Sequence, residues 1–342
     1  MNTNSNSSQS GRKHSRRSAL QIVVGSTVTV GTLFAPWVAK AATKIRVQTN
    51  FFPEPAHGGF YQALLTGIYS KAGLDVEVKP GGPQVNGMQL LAGGEADFLM
   101  GSSIGALNAV DRGVPITVVM TNFQADPQVI VTRPDVKSLA DLKDHKILVS
   151  TLGRASYWLW LKKKYGFGDD QVAAYTGNFQ SFLTDPTLAL GGVVTSEPFQ
   201  IRKSGAEVKY FLLAKEGYPP YGYPMIAMRP FIDGNRQLVA AFVKASIEGW
   251  KSFYNDPTPV MAEIKRLRPD ASDDWLHYAI ATMKELKFLN GGDAEKGGIG
   301  VMTDARWKDL ADFMVSADML KPTTDWKSAY TTEFVKDLKI TV

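Results

Sequence analysis

The sequence of 342 residues contains no cysteine. This absence excludes a disulfide scaffold, a thiolate zinc site, a cysteine nucleophile and an iron–sulfur cluster held by thiolates. It also excludes a diacyl lipoprotein anchor, which needs a cysteine. The three histidines after residue 41 are far apart, and no H-E-x-x-H, P-loop or G-x-S-x-G motif occurs. We therefore predict no cofactor, no metal site and no enzymatic activity.

Acidic residues are missing from the N-terminal segment, and this segment holds all of the excess positive charge. Residues 1–41 contain five basic residues and no acid, so they account for the whole formal net charge of +5. The rest of the chain is formally neutral, and its charge gives no support for nucleic-acid binding. A composition of 44% hydrophobic and 21% charged residues excludes a disordered chain, and the length suggests about two domains.

The N-terminal segment has the three parts of a secretory signal. A basic region precedes a moderately apolar stretch at residues 19–39, and Ala39–Ala41 supplies small residues for a signal peptidase. Ser15–Arg17 resembles a twin-arginine box, although Ala19 stands where Phe is usual. We predict that residues 1–41 are a twin-arginine signal peptide cleaved near Ala41, and that the mature protein is periplasmic. A membrane anchor that stays attached is the alternative.

Short apolar strands alternate with helical segments along the mature chain, a pattern that predicts an α/β fold. Strands are expected at residues 44–48, 74–79, 96–100, 116–120, 128–132, 146–149 and 208–213. Helices are expected at residues 60–71, 236–254, 257–267, 273–286 and 303–316, among others. Two α/β blocks followed by a helical tail indicate two lobes. We assign residues 43–122 plus 224–342 to lobe 1 and residues 123–223 to lobe 2, with a ligand cleft and a hinge between them.

One motif resembles a known family. Residues 50–63 (NFFPEPAHGGFYQA) resemble the first-strand motif of the thiamine-pyrimidine-precursor (pyrimidine synthase-like) family, Trp-x-Pro-Asn-x-x-His-x-Gly-x-Tyr-x-Ala. Phe52 replaces the Trp of this motif, and Glu54 replaces its Asn. The resemblance covers nearly all of the mature chain, and further matching segments are residues 67–76, 91–102, 139–142 and 196–199.

The resemblance implies a type II periplasmic binding protein fold and a substrate-binding protein of an ABC importer. Its expected ligand is a small aromatic heterocycle, such as a thiamine pyrimidine precursor. Wider relatives bind nitrate, sulfonates or taurine, and these anions are the alternative ligands. A periplasmic enzyme is a minor alternative, although the pyrimidine synthases of this family need a cysteine-rich iron motif that this chain lacks. The expected partners are an ABC permease and ATPase at the inner membrane, and we expect a monomer that binds no nucleic acid.

The first candidate site residues lie at the end of the first strand, where ligands bind in open α/β sheets. His57 follows a proline-rich loop, and the resemblance places it in the cleft; a structural loop histidine is the alternative. Phe52 and Tyr61 flank this histidine. Their aromatic faces suit stacking on a flat heterocycle, but such residues also pack in cores.

Two serine-rich segments follow strands in equivalent places of the two lobes. Ser102 and Ser103 follow the strand at residues 96–100, and Ser150 and Thr151 follow the strand at residues 146–149. Their hydroxyls and the N–H groups of the following helices suit an anion or a carbonyl oxygen. Helix capping without any ligand is the equal alternative.

The most discriminating candidate is Glu197, in the segment Ser196–Phe199. A buried carboxylate accepts hydrogen bonds from the amine and ring N–H of an aminopyrimidine and repels nitrate or sulfonate. An acid–proline pair also occurs in the anion-binding relatives, where its role can be structural. Asn122 and Tyr221 lie at the two expected crossings between lobes. These two side chains either close over a ligand or pack the hinge.

Overall fold

The computed structural model describes residues 43–82 and 85–342, so the predicted signal peptide at residues 1–41 lies outside the described residues. Within this range the chain forms ten β-strands. The strands are β1 (Thr43–Gln48), β2 (Leu74–Lys79), β3 (Phe98–Met100), β4 (Ile116–Phe123), β5 (Gln128–Thr132), β6 (Lys146–Val149), β7 (Val172–Ala174), β8 (Leu188–Val193), β9 (Lys209–Leu212) and β10 (Gly222–Met228).

The same described residues contain fourteen α-helices. The helices are α1 (Gly58–Leu65), α2 (Ile68–Lys71), α3 (Gly87–Ala92), α4 (Ser103–Asp111), α5 (Thr151–Arg154), α6 (Tyr157–Tyr165), α7 (Gln180–Thr184), α8 (Glu197–Lys203), α9 (Arg229–Gly234), α10 (Arg236–Asn255), α11 (Thr258–Leu267), α12 (Asp273–Glu285), α13 (Ala294–Gly297) and α14 (Asp304–Ser316). Short 3-10 helices cover Pro55–His57, Leu139–Asp144, Asp169–Gln171 and Trp326–Ala329. None of the helices in this part of the chain is long and apolar enough to cross a membrane.

The strands form two five-stranded sheets that share one connectivity. Sheet A has the order β2-β1-β3-β10-β4, and sheet B has the order β7-β6-β8-β5-β9. In sheet A, β10 runs antiparallel to both of its neighbours, and β5 does the same in sheet B. Each of these strands is the first strand after the chain has crossed from the other sheet. The predicted α/β class with two lobes is therefore confirmed.

The two crossings between the sheets lie side by side. The first leaves β4 at Phe123 and the second enters β10 at Gly222, and these two residues pair in an antiparallel ladder. Arg306 of α14 ties the crossings together, because its guanidinium donates to the carbonyl of Gln124 at 2.7 Å and to the carbonyl of Pro219 at 3.3 Å. Two adjacent connections held at one place are the arrangement expected of a hinge between the sheets, and we call this place the hinge.

Most predicted elements lie within a few residues of their expected positions. The tail helices agree best, since the helix expected at residues 236–254 is α10. The helix expected at residues 60–71 is instead divided into α1 and α2, because Gly67 between them adopts a φ of +73°. Strands β7, β8 and β10 were not predicted, since β7 has only three residues, glycines interrupt β8 and Pro224 interrupts β10. The assignment of residues 123–223 to lobe 2, and of the flanking segments to lobe 1, stays a prediction.

Helix α10 packs against α1 at a contact that only glycine permits. A Cβ at Gly249 of α10 would lie 2.2 Å from the carbonyl oxygen of Gly59 in α1. Conversely, a Cβ at Gly59 would lie 2.3 Å from the ring of Trp250, which is fully buried. This close contact fixes the long tail helix on the α1 side of sheet A and so positions the helices that follow it.

We predict that Gly249→Ala destabilises the protein by about 1–3 kcal/mol, because the methyl group meets a backbone oxygen that cannot move away cheaply. Gly234→Ala is the matched control, since a Cβ at Gly234 in α9 would meet no atom within 4 Å. The control should be neutral or stabilising by up to about 1 kcal/mol. Urea unfolding of both variants checks this, and equal stabilities would contradict the proposed contact.

Candidate functional site

The loop after β1 ends at a buried histidine, His57, which bonds another residue of the same loop. The ring of His57 is fully buried, and its Nε2 lies 2.8 Å from Oδ1 of Asn50. Burial, and then the positive charge of Arg268, lower the pKa of His57 to about 3, so the ring is neutral. The amide oxygen of Asn50 can only accept, so Nε2 carries the proton. His57 thereby fixes the loop from inside, while its predicted contact with a ligand stays a prediction.

Glu54 lies in the same loop with its side chain 13% exposed, and Oε1 is 4.0 Å from Nε2 of His57. Burial raises the pKa of Glu54 to about 7; the charge of Arg268 opposes this rise and the charge of Glu197 adds to it. Since Glu197 follows β8 of sheet B, the loop after β1 and the turn after β8 lie close enough for their charges to interact. This carboxyl group was noted in the sequence only as a departure from the family motif.

Glu197 is the first residue of α8 and turns back onto the end of β8. Its Oε2 accepts the backbone N–H of Val193 at 2.7 Å, and its Oε1 accepts the hydroxyl of Tyr175 at 3.3 Å. A Cβ at Gly192 would lie 2.8 Å from this carboxyl group, so the carboxylate needs glycine beneath it. Burial raises the pKa of Glu197, and these hydrogen bonds oppose the rise.

A third carboxyl group, Asp126, lies on the first crossing between the sheets. Its Oδ1 accepts the backbone N–H of Gln128 at 3.0 Å. Burial raises the pKa of Asp126 to about 7, against the effect of this hydrogen bond. In the part of the chain that the structure describes, no salt bridge reaches Asp126 or Glu197. We call Glu54, Asp126 and Glu197 the carboxylate cluster.

Tyr223, on the second crossing, shows that the three carboxyl groups share one region. Burial raises the pKa of its phenol well above the usual value, and the charges of Glu54, Asp126 and Glu197 raise it further. A hydrogen bond with Asn50 has the opposite effect. A charge shifts the pKa of another group only over a short distance in a protein. The carboxylate cluster therefore lies near the second crossing, and its members come from the loop after β1, the first crossing and the turn after β8.

Tyr157 of α6 brings a second phenol to the same region. Burial, and then the charges of Glu197 and Asp126, raise the pKa of its hydroxyl. The hydroxyl rests between two glycines, because a Cβ at Gly153 or at Gly191 would lie 2.5 or 2.0 Å from it. In the sequence, Tyr157 belongs to an aromatic helix that suggests core packing. Its two glycine contacts come from separate elements, so spacing along the chain does not reveal them.

The outer edge of the site is aromatic. Phe52 is 44% exposed, and its ring lies edge-on to the ring of Phe51 at 5.0 Å. The guanidinium of Arg268 lies 6.0 Å from the ring centre of Phe52 and 4.9 Å from that of Trp275. A flat ligand can therefore stack on an accessible phenyl face at the entrance to the carboxylate cluster.

The two predicted serine segments cap helices. The hydroxyl of Ser102 accepts the N–H of Gly105, and the hydroxyl of Ser150 accepts the N–H of Gly153, both at 3.0 Å. Thr151, the first residue of α5, is exposed. Capping thus explains both serines locally, and ligand contact at Ser102, Ser150 and Thr151 stays a prediction.

The remaining predicted residues have partners in the interior. Ser103 donates to the carbonyl of Tyr221 at 3.1 Å. The hydroxyl of Tyr221 donates to Asp293, and the guanidinium of Arg306 lies 3.8 Å above its ring centre. These contacts hold the second crossing in place. Within the described residues, neither Ser103 nor Tyr221 has a hydrogen bond to the carboxylate cluster.

Asn122 and Tyr61 lie in the interior. The amide of Asn122 donates to the carbonyl of Tyr223 and accepts the indole N–H of Trp250 at 2.9 Å. Tyr61 is buried in the hydrophobic core. Burial and then the charge of Glu263 raise the pKa of its phenol to about 12, and the charge of Arg266 opposes this rise. Hinge packing at Asn122 and core packing at Tyr61 explain these residues locally, and their ligand contacts stay predictions.

Chemically, the site combines carboxylate acceptors with aromatic rings. Ionised carboxylates accept hydrogen bonds from amines and ring N–H groups and repel anions. Within residues 43–82 and 85–342, no group of three or more histidine or acidic residues has the arrangement of a metal site. The sequence analysis selected Glu197 and Phe52 as candidates, but it did not select Asp126 or Tyr175, which come near Glu197 only in the folded chain.

Comparison with known proteins identifies a family and a shared fold. The model of the NMT1/THI5-like family matches residues 54–259. A formylaminopyrimidine-binding protein of Halalkalibacterium halodurans is 20% identical over 290 residues, which cover 82% of this chain and 88% of that protein. This relative is similar along almost its whole length.

Two solved structures have the same fold. The periplasmic aliphatic sulphonate-binding protein SsuA of Escherichia coli has a TM-score of 0.63 at 12% identity, covering 86% of this chain and 98% of that one. The desulfurization enzyme DSZB has a TM-score of 0.58 at 13% identity, with coverage of 86% and 98%. At such identities the likeness shows the fold alone. The predicted periplasmic binding protein fold is confirmed.

We predict that Glu54→Gln stabilises the ligand-free protein at pH 8, because glutamine has no charge to bury. The folded-state pKa of Glu54, about 7, lies above the ordinary value of 4.5, so the folded protein binds more protons between these pH values. The free energy of unfolding of the wild type therefore falls as the pH rises through this window. The variant should be more stable by on the order of 1–3 kcal/mol at pH 8, and most of this difference should disappear at pH 5.

The control for this prediction is Glu77→Gln. Glu77 is a surface residue paired with Lys44 at 3.0 Å, and a hydrogen bond from Lys44 lowers its pKa. Its replacement should therefore have the opposite sign, with a slight loss of stability at pH 8. Urea unfolding from pH 5 to pH 8 checks both variants. Parallel pH profiles for the wild type and Glu54→Gln would show that Glu54 is not buried with a raised pKa.

Proposed function

The chain belongs to the NMT1/THI5-like family, and we propose that it is an extracytoplasmic solute-binding protein of an ABC importer. The proposed ligand is a small aromatic heterocycle with amino groups, such as a thiamine pyrimidine precursor, held between two lobes that close on it. The carboxylate cluster at the hinge carries this proposal. Its members come from the loop after β1, the first crossing and the turn after β8, so a ligand that bridges them joins both sheets.

The charge of the cluster supports a neutral or cationic ligand. Two like charges 4 Å apart repel by about 4 kcal/mol at an effective dielectric constant of 20. A nitrate or sulfonate beside ionised Glu54, Asp126 or Glu197 would meet such repulsion, whereas an aminopyrimidine would donate hydrogen bonds. Binding a cation would also favour ionisation of carboxyl groups whose pKa is raised, so proton release should accompany it.

Aromatic groups supply the remaining recognition. The exposed ring of Phe52 can stack on a heterocycle, while the phenols of Tyr157 and Tyr175 lie beside Glu197. Stacked rings contribute about 0.5–1.5 kcal/mol beyond the burial of their area. The name of the Halalkalibacterium relative, a formylaminopyrimidine-binding protein, agrees with a ligand of this class.

A sulfonate, nitrate or taurine binder of the same fold is the second candidate. Arg268 at the aromatic edge and the capped start of α4 at Ser102 offer positive potential to an anion. The fold match to SsuA agrees with this candidate. The carboxylate cluster argues against it above pH 7, where Glu54 and Asp126 are mostly ionised and would repel an anion.

The proposal is a binding protein and not an enzyme, although DSZB shows that the fold also carries catalysis. The complete absence of cysteine excludes a cysteine nucleophile in this chain. A periplasmic enzyme would convert the bound molecule. Chromatography of the ligand recovered from the protein distinguishes the two, because a binding protein returns it unchanged.

We further propose that the protein is exported and delivers its ligand as a monomer to a membrane permease and ATPase. The signal segment at residues 1–41 lies outside the described residues, and its sequence alone supports this step. Export through the twin-arginine route would suit a protein that folds before translocation.

We predict that an aminopyrimidine with a formylamino or hydroxymethyl group raises the melting temperature by several degrees. A ligand at about 100 times its Kd stabilises the folded state by about 2.7 kcal/mol. Glu197→Gln should abolish this shift, because glutamine keeps the shape but loses the charge that the ligand contacts. A thermal-shift panel with nitrate, taurine and alkanesulfonates in parallel checks the prediction.

The matched control in the panel is Glu207→Gln, an exposed acid of the same part of the chain. It should keep the full shift. A shift with the anions alone would refute the pyrimidine ligand and retain the transport role. If no compound shifts either the wild type or the control, the proposed ligand class is wrong.

We predict that the double variant Arg16→Lys, Arg17→Lys leaves the protein in the cytoplasm as an uncleaved precursor, since the twin-arginine route depends on this pair. The wild type should appear in the periplasm with Ala42 as its first residue. Cell fractionation followed by mass spectrometry of the N-terminal peptide checks both statements, with Arg12→Lys as the control. Normal export of the double variant would exclude the twin-arginine route.

A further inference from the structure

Helix α12 reaches from the tail to the turn that carries Glu197. The indole N–H of Trp275 donates to the carbonyl of Thr195 at 2.9 Å. One helical turn later, the hydroxyl of Tyr278 donates to the carbonyl of Val194 at 3.0 Å. The spacing of three residues places both donors on one face of the helix. The two side chains on this face therefore donate hydrogen bonds to two consecutive carbonyls just after β8 of sheet B.

The other contacts of α12 hold it to elements on the sheet A side. The hydroxyl of Tyr254 in α10 donates to the carbonyl of Met283 in α12 at 3.0 Å. Helix α10 itself is fixed on α1 by the glycine contact at Gly249 and Gly59. In addition, α12 touches the 3-10 helix Pro55–His57 of the loop after β1. The two hydrogen bonds to Val194 and Thr195 thus connect one side of the hinge with the other.

Within the packed junction, these two bonds pair donors and acceptors that have little access to water. Trp275 is 5% exposed, so its indole N–H needs an acceptor in the interior. The ring of Phe199 in α8 lies 5.2 Å from the ring of Tyr278, which adds an apolar contact to the same junction. If the sheets move apart, the donors of α12 and the carbonyls after β8 separate together.

We propose that Trp275 and Tyr278 form a latch that holds the two lobes closed and positions Glu197 for the ligand. The turn that accepts the two latch bonds ends at Glu197, so closure and correct placement of this carboxylate occur in one movement. Both residues act as positioning residues, because their bonds go to the backbone of the turn. The inference rests on the proposed function in one respect, which is that Glu197 contacts the ligand.

The chain lacks cysteine, and this allows a direct measurement of closure. Cysteines introduced at exposed Lys71 in α2 and exposed Lys143 of the sheet B side carry spin labels on the protein purified after export. Electron–electron double resonance then gives the distribution of distances between the two sides. Tyr278→Phe removes one hydrogen bond and keeps the ring, whereas Trp275→Phe removes one hydrogen bond and replaces the indole by the smaller phenyl ring. Each should raise the ratio of open to closed protein about five-fold, and the double variant more.

Tyr165→Phe is the matched control, because it also removes one hydroxyl bond, from Tyr165 of α6 to Glu216 at 3.3 Å, but this bond joins two segments of the sheet B side. It should leave the distance distribution unchanged. Distributions that are identical in the wild type and the double variant would overturn the latch, whether the wild type is open or closed. The latch would also be overturned if the control variant opened the protein as much as the latch variants do.

Ligand kinetics separate this inference from the proposed function. With the formylaminopyrimidine as probe, the latch variants should release the ligand about five-fold faster per lost bond, with little change in the association rate. A faster release in the control as well would indicate a general loss of stability and overturn the latch. If the wild type binds no probe, the proposed ligand class fails, and the distance measurement still decides the latch.

Discussion

The arrangement of this protein depends on the close antiparallel pairing of its two crossings. Phe123 and Gly222 face each other where the chain leaves and re-enters sheet A, and a Cβ at Gly222 would lie 2.5 Å from the carbonyl oxygen of Ala125. Arg306 binds carbonyls of both crossings, so neither can move alone. Because both connections are confined to one place, relative motion of the sheets reduces to rotation about that place. Any group beside this place is therefore close to parts of both sheets.

The carboxylate cluster lies at this position, and the burial of its carboxyl groups costs stability. Glu54 and Asp126 have pKa values of about 7, because burial disfavours their charge more than hydrogen bonds or Arg268 favour it. A protein does not gain stability by burying acids without cations, so such groups indicate a role other than folding. In the proposed function this role is the recognition of amino groups, and the bound ligand supplies the donors that the interior lacks.

The parts of the fold that sequence periodicity could predict are those where packing alone selects the residues. The tail helix α10 and the alternating strands β1 and β2 follow this rule and lie where they were expected. Strand β8 escaped prediction because Gly191 and Gly192 weaken its strand pattern. The hydroxyl of Tyr157 and the carboxyl group of Glu197 need glycine at these positions. The residues that make room for the site are therefore the ones that weaken the strand pattern in the sequence. Likewise, Asp126 and Tyr223 meet Glu54 only through the sheet topology, which no local spacing encodes.

Arg268 shows how the tail balances the site. Its guanidinium lies near the rings of Phe52 and Trp275, and its charge lowers the pKa of both Glu54 and His57. It therefore adds to the effect of burial that keeps His57 neutral, and it reduces the cost of ionising Glu54 without forming a salt bridge with it. Since Trp275 also bonds the turn before Glu197, one segment of the tail contacts the turn and acts on the charge of the cluster. In the proposed function, recognition and closure therefore depend on the same few contacts, and a substitution in this segment should affect both.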